Sequence, residues 1–196
     1  MNNISALNSH CTAALGISPL SSVEAEALAF LLPLSKDYPG IDRWYLTKVV
    51  PGLRTGSRHL LRIERSGELV GIGIGKIEAD ERKICTVRVA PHFANKGIGL
   101  RIFDGLLKWL DDDQPHLTVS NHKLPLFERI FDYYGFRMSS RLEGRYVPTA
   151  CELGYNELCS TPLAQYTVMH DYSLTDVFNP PLAPTDVLAR RLSDQG

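Results

Sequence analysis

Lys83-Ile-Cys-Thr-Val-Arg-Val-Ala-Pro91 runs through His92-Phe-Ala-Asn-Lys-Gly-Ile-Gly99 into Leu100-Arg-Ile-Phe-Asp-Gly-Leu-Leu-Lys-Trp-Leu110. The first part is rich in β-branched residues and reads as a strand. Pro91 closes it, because proline donates nothing to a sheet ladder and holds its predecessor extended. In the last part Ile98, Ile102, Leu106 and Leu110 recur every four residues, with Phe103 and Leu107 beside them. That row is one buried helical stripe. A strand, a short loop and a helix opened by Gly97 and Gly99 leave backbone N–H groups unpaired at the positive end of a helix dipole. A phosphate suits that place. Two glycines in a first turn cost about 1 kcal/mol each relative to alanine. Close helix–sheet packing is the plain alternative; approach of a ligand to the backbone accounts for the cost better.

Working outward, Ser21-Ser22 followed by Glu24 predicts a helix start, with the helix over Val23–Leu32. Tyr38-Pro39-Gly40 reads as a turn. Ile41–Val50 reads as a second helix, ending at Pro51-Gly52. His59–Glu64 and Leu69–Ile77 are strands joined by a Ser66-Gly67 hairpin turn. In the second of these, glycine alternates with apolar residues, which fits a strand face closely approached by another backbone or a ligand. A charged turn at Asp80-Glu81-Arg82 leads into the strand ending at Pro91. After the glycine-opened helix, Asp111-Asp112-Asp113 is a polar break and His116–Ser120 a short buried strand. Pro125 starts a helix that runs to Tyr134 and is capped by Gly135. Phe136–Arg141 and Arg145–Val147 are the expected last strands. Residues 1–20 and those after Thr161 are weakly patterned. The order is helices, antiparallel meander, β-loop-α, then β-α-β, which predicts a mixed α/β sheet.

With 196 residues, the chain holds one sizeable core. A formal net charge of −1 argues against a nucleic-acid or anionic-lipid surface. The four cysteines (Cys11, Cys85, Cys151, Cys159) form no CxxC pair, as expected of reduced thiols in the cytoplasm. The apolar run Ala25–Leu34 is interrupted by Glu26 and stopped by Pro33, so it predicts neither a signal peptide nor a membrane span. Histidines and cysteines lack ligand spacing, so no metal is expected.

Three pieces in this order resemble the GNAT acyltransferase superfamily, whose members transfer an acyl group from acyl-CoA to an amine. They are Val89-Ala90-Pro91 ending a strand, Asn95-Lys96-Gly97-Ile98-Gly99 opening a helix, and His116–Ser120 followed by a helix and Tyr134-Gly135-Phe136. The resemblance covers residues 40–147. It implies a mixed, mostly antiparallel central sheet flanked by helices, with a V-shaped cleft between two central strands. It also implies acetyl-CoA as co-substrate and an amine as acceptor, with a domain over 1–160 and an extension over 161–196. That extension is left three fates: packing over the cleft, mediating a homodimer, or staying mobile.

Carried onto this chain, the resemblance implies that the amides of Asn95, Lys96, Gly97, Ile98 and Gly99, with Leu100 beside them, hold the diphosphate. The main chain of Val87, Arg88 and Val89 would hold the pantetheine, and Asn121 and Phe131 would line the cofactor site. The N–H of Val89 or a neighbour would polarise the thioester carbonyl. Two positions depart from the family pattern. Ala94 stands where a glutamine or arginine is usual. Phe131 stands where a tyrosine often protonates the departing thiolate; Tyr134 is a substitute, or simply a half-buried core residue. Glu78 or Glu81 could take the amine's proton, against the plainer reading of exposed turn charges. His122 is a base or a helix-entry residue alongside Ser120 and Asn121, and Cys85 is expected to be inert. A non-catalytic acyl-CoA-binding module is the alternative function. A Rossmann-type protein is disfavoured because Ile102 occupies the third glycine position of G-x-G-x-x-G.

Overall fold

The computed structural model describes residues 18–79 and 81–157. The expectations for residues 1–17 and for the 161–196 extension lie outside the described residues. Helix α1 (Ser22–Leu31) begins as its sequence dictates. The Ser21 hydroxyl accepts from the Glu24 N–H at 3.2 Å, and the Glu24 carboxylate accepts from the Ser21 N–H at 2.7 Å. Arg54 then donates twice to Glu24, at 3.0 and 2.9 Å, tying the start of α1 to a later helix. That later helix is a continuous rod: α2 (Ile41–Trp44), a π turn (Tyr45–Val49) and α3 (Val50–Thr55). The rod corrects the expected stop at Pro51. In the π turn the Val50 N–H reaches back five residues to the Tyr45 carbonyl. The widened turn leaves Pro51 in the first turn of α3, where no N–H is required of it.

The sheet has six strands: β1 (Arg58–Arg65), β2 (Glu68–Glu78), β3 (Glu81–Val89), β4 (His116–Ser120), β5 (Met138–Glu143) and β6 (Cys151–Tyr155). Their spatial order is β1-β2-β3-β4-β6-β5. All pairings are antiparallel except β3–β4, which is parallel and spans only Lys83↔His116 and Ile84↔Leu117. Beyond those pairs the two strands diverge, which gives the V-shaped cleft. The β2–β3 register shifts between Ile74 and Gly75, leaving Cys85 as an extra residue on β3. This bulge falls one residue past the last β3–β4 pair, and a bulge bends and twists its strand at that point.

Two sequence expectations need correcting. Glu81 and Arg82 belong to β3, not to a turn. The last strand is Cys151–Tyr155, not Arg145–Val147, which lies in the β5–β6 connection with Gly144 at φ 68°. Pro148 cuts the apolar run short. The true strand is buried along its whole length, so it shows no alternation to reveal it. It slots between β4 and β5, completing the sheet.

Helices α4 (Ile98–Leu110) and α5 (Leu124–Tyr134) cover one face, over Ile84, Leu117, Val119 and Leu153. Helix α1 and the helical rod cover Leu69, Ile72 and Ile74 on the other. The glycines of β2 have their explanation here. A Cβ on Gly71 would stand 2.8 Å from Ile98 Cγ2, one on Gly73 2.4 Å from Ile102 Cγ2, and one on Gly75 3.0 Å from the Trp109 ring. The strand is stripped of side chains so that α4 can lie directly on it. At the closed end of the V, Glu81 pairs with Lys76 and accepts from His116 Nδ1 at 2.9 Å, while His116 Nε2 lies 3.3 Å from Glu157. These partners, His116 foremost, hold the Glu81 carboxyl well below the usual range. Gly73→Ala should therefore destabilise the fold by about 1–3 kcal/mol, since Ile102 and Leu106 cannot retreat without moving α4. Urea denaturation checks this.

Candidate active site

Strand β3 ends at Val89, and Ala90 makes the last rung, its N–H donating to the Val70 carbonyl at 2.8 Å. A single 3-10 turn (Pro91–Phe93) follows, then a loop with Asn95 at φ 59° and Gly97 at φ 75°. The first amide of α4 with a main-chain acceptor is Arg101, bonded to the Gly97 carbonyl at 3.2 Å. Among the described residues, the N–H groups of Asn95 to Leu100 have no such acceptor. Residues 94–97 are exposed, while Ile98 is buried and anchors the helix start. A Cβ on Gly97 would meet nothing within 4 Å, so the space over the loop is open. At Gly99, by contrast, a Cβ would stand 3.1 Å from Ile130 Cδ1. The second glycine thus also serves the packing of α4 on α5. The structure brings Asn95, Lys96, Gly97, Ile98, Gly99 and Leu100 together as an outward-facing turn of amides, which suits an anion.

The open edge of β3 is read from its ladder. In the β2–β3 register Ala90 is the partner of Val70, so rungs toward β2 fall at Ala90 and Arg88. The intervening residues, Val87 and Val89, turn their amides and carbonyls the other way, into the gap facing β4. Arg88 sends its side chain to the opposite face, where the guanidinium donates to the Phe30 carbonyl and lies 4.3 Å over the Phe30 ring. Arg88, expected to hold the pantetheine by its main chain, is thereby drawn away from the gap: its main chain bonds β2 and its side chain lies against Phe30.

Other expected site residues are drawn elsewhere. Glu78 sits at the closed end of the sheet, opposite Glu81 in the register and near Lys76 and Arg58. At about 3.3 Å per residue, the length of β3 puts it roughly 26 Å from Val89. Glu78 and Val89 cannot act on one substrate. Tyr134 stands near the same closed end, its carbonyl accepting from Gln114 and its hydroxyl donating to Asp104 at 2.5 Å. Burial and that carboxylate push its phenol far up, so it is a poor acid. Asn121 is engaged with β6: its side-chain carbonyl accepts from the Cys151 N–H at 3.2 Å, and its own N–H donates to the Cys151 carbonyl. Neither it nor Ser120 caps α5, which lacks a side-chain cap. His122 is exposed beside it. Phe131 is 3% exposed and packs on Tyr155, Phe136, Phe127 and Phe103 with ring centroids 4.7–6.0 Å apart. Its ring belongs to the aromatic core under the sheet.

The residues missed from the sequence lie on the other face. Leu117 and Val119 of β4, with Cys151 and Leu153 of β6, point into the core beneath α4 and α5. Thr118, Ser120 and Glu152 therefore point the opposite way. Glu152 is 4% exposed. Thr118 stands beside both its carboxyl and the Tyr146 phenol, and the Tyr38 and Tyr146 rings meet edge-on at 5.3 Å. Burial pushes the Glu152 carboxyl up to about 7, against the opposing pull of Thr118, Arg145 and Lys83. Nothing in the spacing marked Glu152, because its strand carries no alternation. Among the described residues, no group of three or more His, Cys, Asp or Glu could hold a metal, and no helix is long and apolar enough to cross a membrane.

The raised carboxyl makes a stability prediction with a definite sign. At low pH Glu152 is protonated in both folded and unfolded chains. Between an ordinary 4.5 and about 7 only the unfolded chain releases the proton, so stability falls as pH rises and then levels off. Glu152→Gln removes that loss. The variant should melt close to the parent near about pH 4 and be the more stable by up to about 3 kcal/mol near about pH 8. Thermal melts across pH decide it.

Comparison with known proteins bears on the same region. The model of the acetyltransferase (GNAT) domain matches residues 47–145, which is half of the chain. An acetyltransferase assigned to the GNAT family, from Desulfovibrio desulfuricans, superposes with a TM-score of 0.56 at 14% identity, over 69% of this chain and 92% of its own. An aminoglycoside 6'-N-acetyltransferase complexed with coenzyme A gives 0.54 at 11% identity, over 72% and 95%. No curated protein matches the sequence significantly. At such identities the superpositions speak for a shared fold, and the domain match carries the assignment. With its splayed β3–β4 pair, its amide turn at the start of α4 and this match, the chain belongs to the GNAT acetyltransferase family.

Proposed function

We propose that this chain transfers an acetyl group from acetyl-CoA to an amine by direct attack, with no covalent enzyme intermediate. The observation that carries this reading is the run of unpaired amides from Asn95 to Leu100 beside the open edge of β3. The coenzyme A diphosphate would sit on those amides, at the N-terminus of α4. Ala94 adds no side-chain contact there, and main-chain donors do not depend on side-chain identity. The pantetheine would lie along β3 as an extra strand, against the main chain of Val89 and Val87. Val89 is the nearer of the two to the amide loop, so the thioester, at the far end of the arm, falls against Val87. Its N–H, already turned into the gap, would meet the oxygen that gains charge during attack.

Phe131 supplies no acid. A positioned acid is typically worth about 10²–10⁴ in rate, whereas a thiolate whose conjugate acid has a pKa near ~8.5 leaves tolerably unaided. Residues 1–160 form the proposed acyltransferase domain and 161–196 its extension. The coenzyme A complex of the aminoglycoside acetyltransferase, a protein of similar fold, supports the choice of donor.

Calorimetry with acetyl-CoA, and release of free thiol with amines of varied class, test the reading. Binding with acylated product is expected. Tight binding without turnover of any amine would favour the non-catalytic module. Leu100→Pro deletes one unpaired amide in the first helical turn, where proline is tolerated and Gly99 precedes it without a Cβ. Acetyl-CoA binding should weaken about tenfold or more, as loss of a charge-assisted hydrogen bond requires, with little change in melting temperature.

A further inference from the structure

We propose that Glu152 holds the incoming amine and accepts its proton during acetyl transfer, an assignment that rests on the acetyl-CoA reading of the cleft. The argument begins with the two faces of the sheet. The amide turn at the start of α4 belongs to the face that α4 and α5 cover. A thioester entering from there between β3 and β4, its oxygen on the Val87 N–H, would expose its carbonyl carbon to attack from the opposite face. Glu152 points out of that opposite face, on the strand paired to β4, at the level of Ser120. The acetyl carbon and this carboxyl therefore approach the gap from its two sides.

The surroundings of Glu152 differ from those of the other buried carboxylate, Glu24, which Arg54 holds, and of the partly buried Glu81, which Lys76 and His116 hold. Glu152 has no cation within ion-pair distance among the described residues, although only 4% of it is exposed. Its charged and titratable neighbours are Lys83 from β3, Arg145 and Tyr146 from the β5–β6 connection, and Tyr38 from the turn before α2. Beyond Tyr146 lies Cys85, at the β3 bulge. Thr118 hydrogen-bonds this carboxyl, but a buried carboxylate with no cation beside it is costly unless a ligand supplies one. A protonated amine is the complementary ligand, since the carboxylate balances its charge and the Tyr38 and Tyr146 rings flank it. The substrate class is a cationic amine that enters on the face carrying α1.

The proton accounting also closes. The bound ammonium first gives one proton to the Glu152 carboxylate, which passes it to solvent. The neutral nitrogen then forms a bond to the carbonyl carbon, the carbon–sulfur bond breaks, and the electron pair leaves on sulfur. The second proton, lost as nitrogen becomes an amide, passes to the Glu152 carboxylate. From there it can move to the thiolate, giving the thiol and restoring the carboxylate. A carboxyl titrating at about 7 gives its proton readily to a thiolate whose acid has a pKa near ~8.5. One group then serves as base and acid in turn, which offsets the missing hydroxyl at Phe131.

The test compares the parent chain with Glu152→Gln and Glu152→Asp, using acetyl-CoA calorimetry and the best acceptor from the amine panel. Expected for Glu152→Gln is unchanged acetyl-CoA affinity with a loss of about 10²–10⁴ in kcat/KM and disappearance of the acid limb near pH 7. Glu152→Asp should recover part of the rate. Retained affinity shows that the variant is folded. Activity of Glu152→Gln within a few-fold of the parent, or a surviving acid limb, overturns the assignment. So does a parent chain that binds acetyl-CoA but acetylates no amine. A parent that fails to bind acetyl-CoA at all overturns the cleft reading itself, which separates the two failures.

Discussion

Strands β3 and β4 share hydrogen bonds over two residue pairs, Lys83↔His116 and Ile84↔Leu117, and then part. Backbone groups left without a neighbouring strand are costly to bury dry, so a parted pair of central strands needs something to hold it and something to fill it. The hold is electrostatic. Lys76, Glu81 and His116 cluster across β2, β3 and β4 just where pairing persists. The parting is built into β3, where the extra residue Cys85 throws the strand out of step with β2. What remains is a wedge edged by the main chain of Val87 and Val89, the groups that the proposed pantetheine would pair with.

The rest of the architecture supports that wedge from both faces. Helix α4 lies close on β2 because Gly71, Gly73 and Gly75 offer no side chains to keep it away. Close seating sets the height of its N-terminus, and with it the amides of Asn95 to Leu100, beside the end of β3. On the opposite face α1 and the helical rod pack on Leu69, Ile72 and Ile74 of β2, and the Tyr38 and Tyr146 rings meet edge-on near Glu152. One face thus presents unpaired amides, where the proposed diphosphate would sit, and the other presents a carboxyl and aromatic rings. The two chemistries meet only through the gap.

Much of this was legible in the chain because local signals and tertiary packing agreed. The capping box at Ser21 and Glu24, the stripe from Ile98 to Leu110 and the stop at Gly135 each follow from one helix's own stereochemistry. Pro51 misled because a π turn, which has no sequence signature, moved the hydrogen-bond register past it. Arg145–Val147 misled because its apolar pattern was stronger than that of Cys151–Tyr155, whose two covered faces erase alternation.

The sequence by itself determined the turn of amides at the start of α4, since strand end, glycines and helix stripe are consecutive and each acts on its neighbours in the chain. Only the tertiary structure decided the polar side of the cleft. Glu78 and Tyr134, chosen for their residue type, fall near the closed end, and Asn121 is absorbed by Cys151. Glu152 and Tyr38 lie more than a hundred residues apart in the chain and come together through strand order alone. A buried carboxyl acquires its chemistry from what surrounds it, and spacing along a chain does not encode those surroundings.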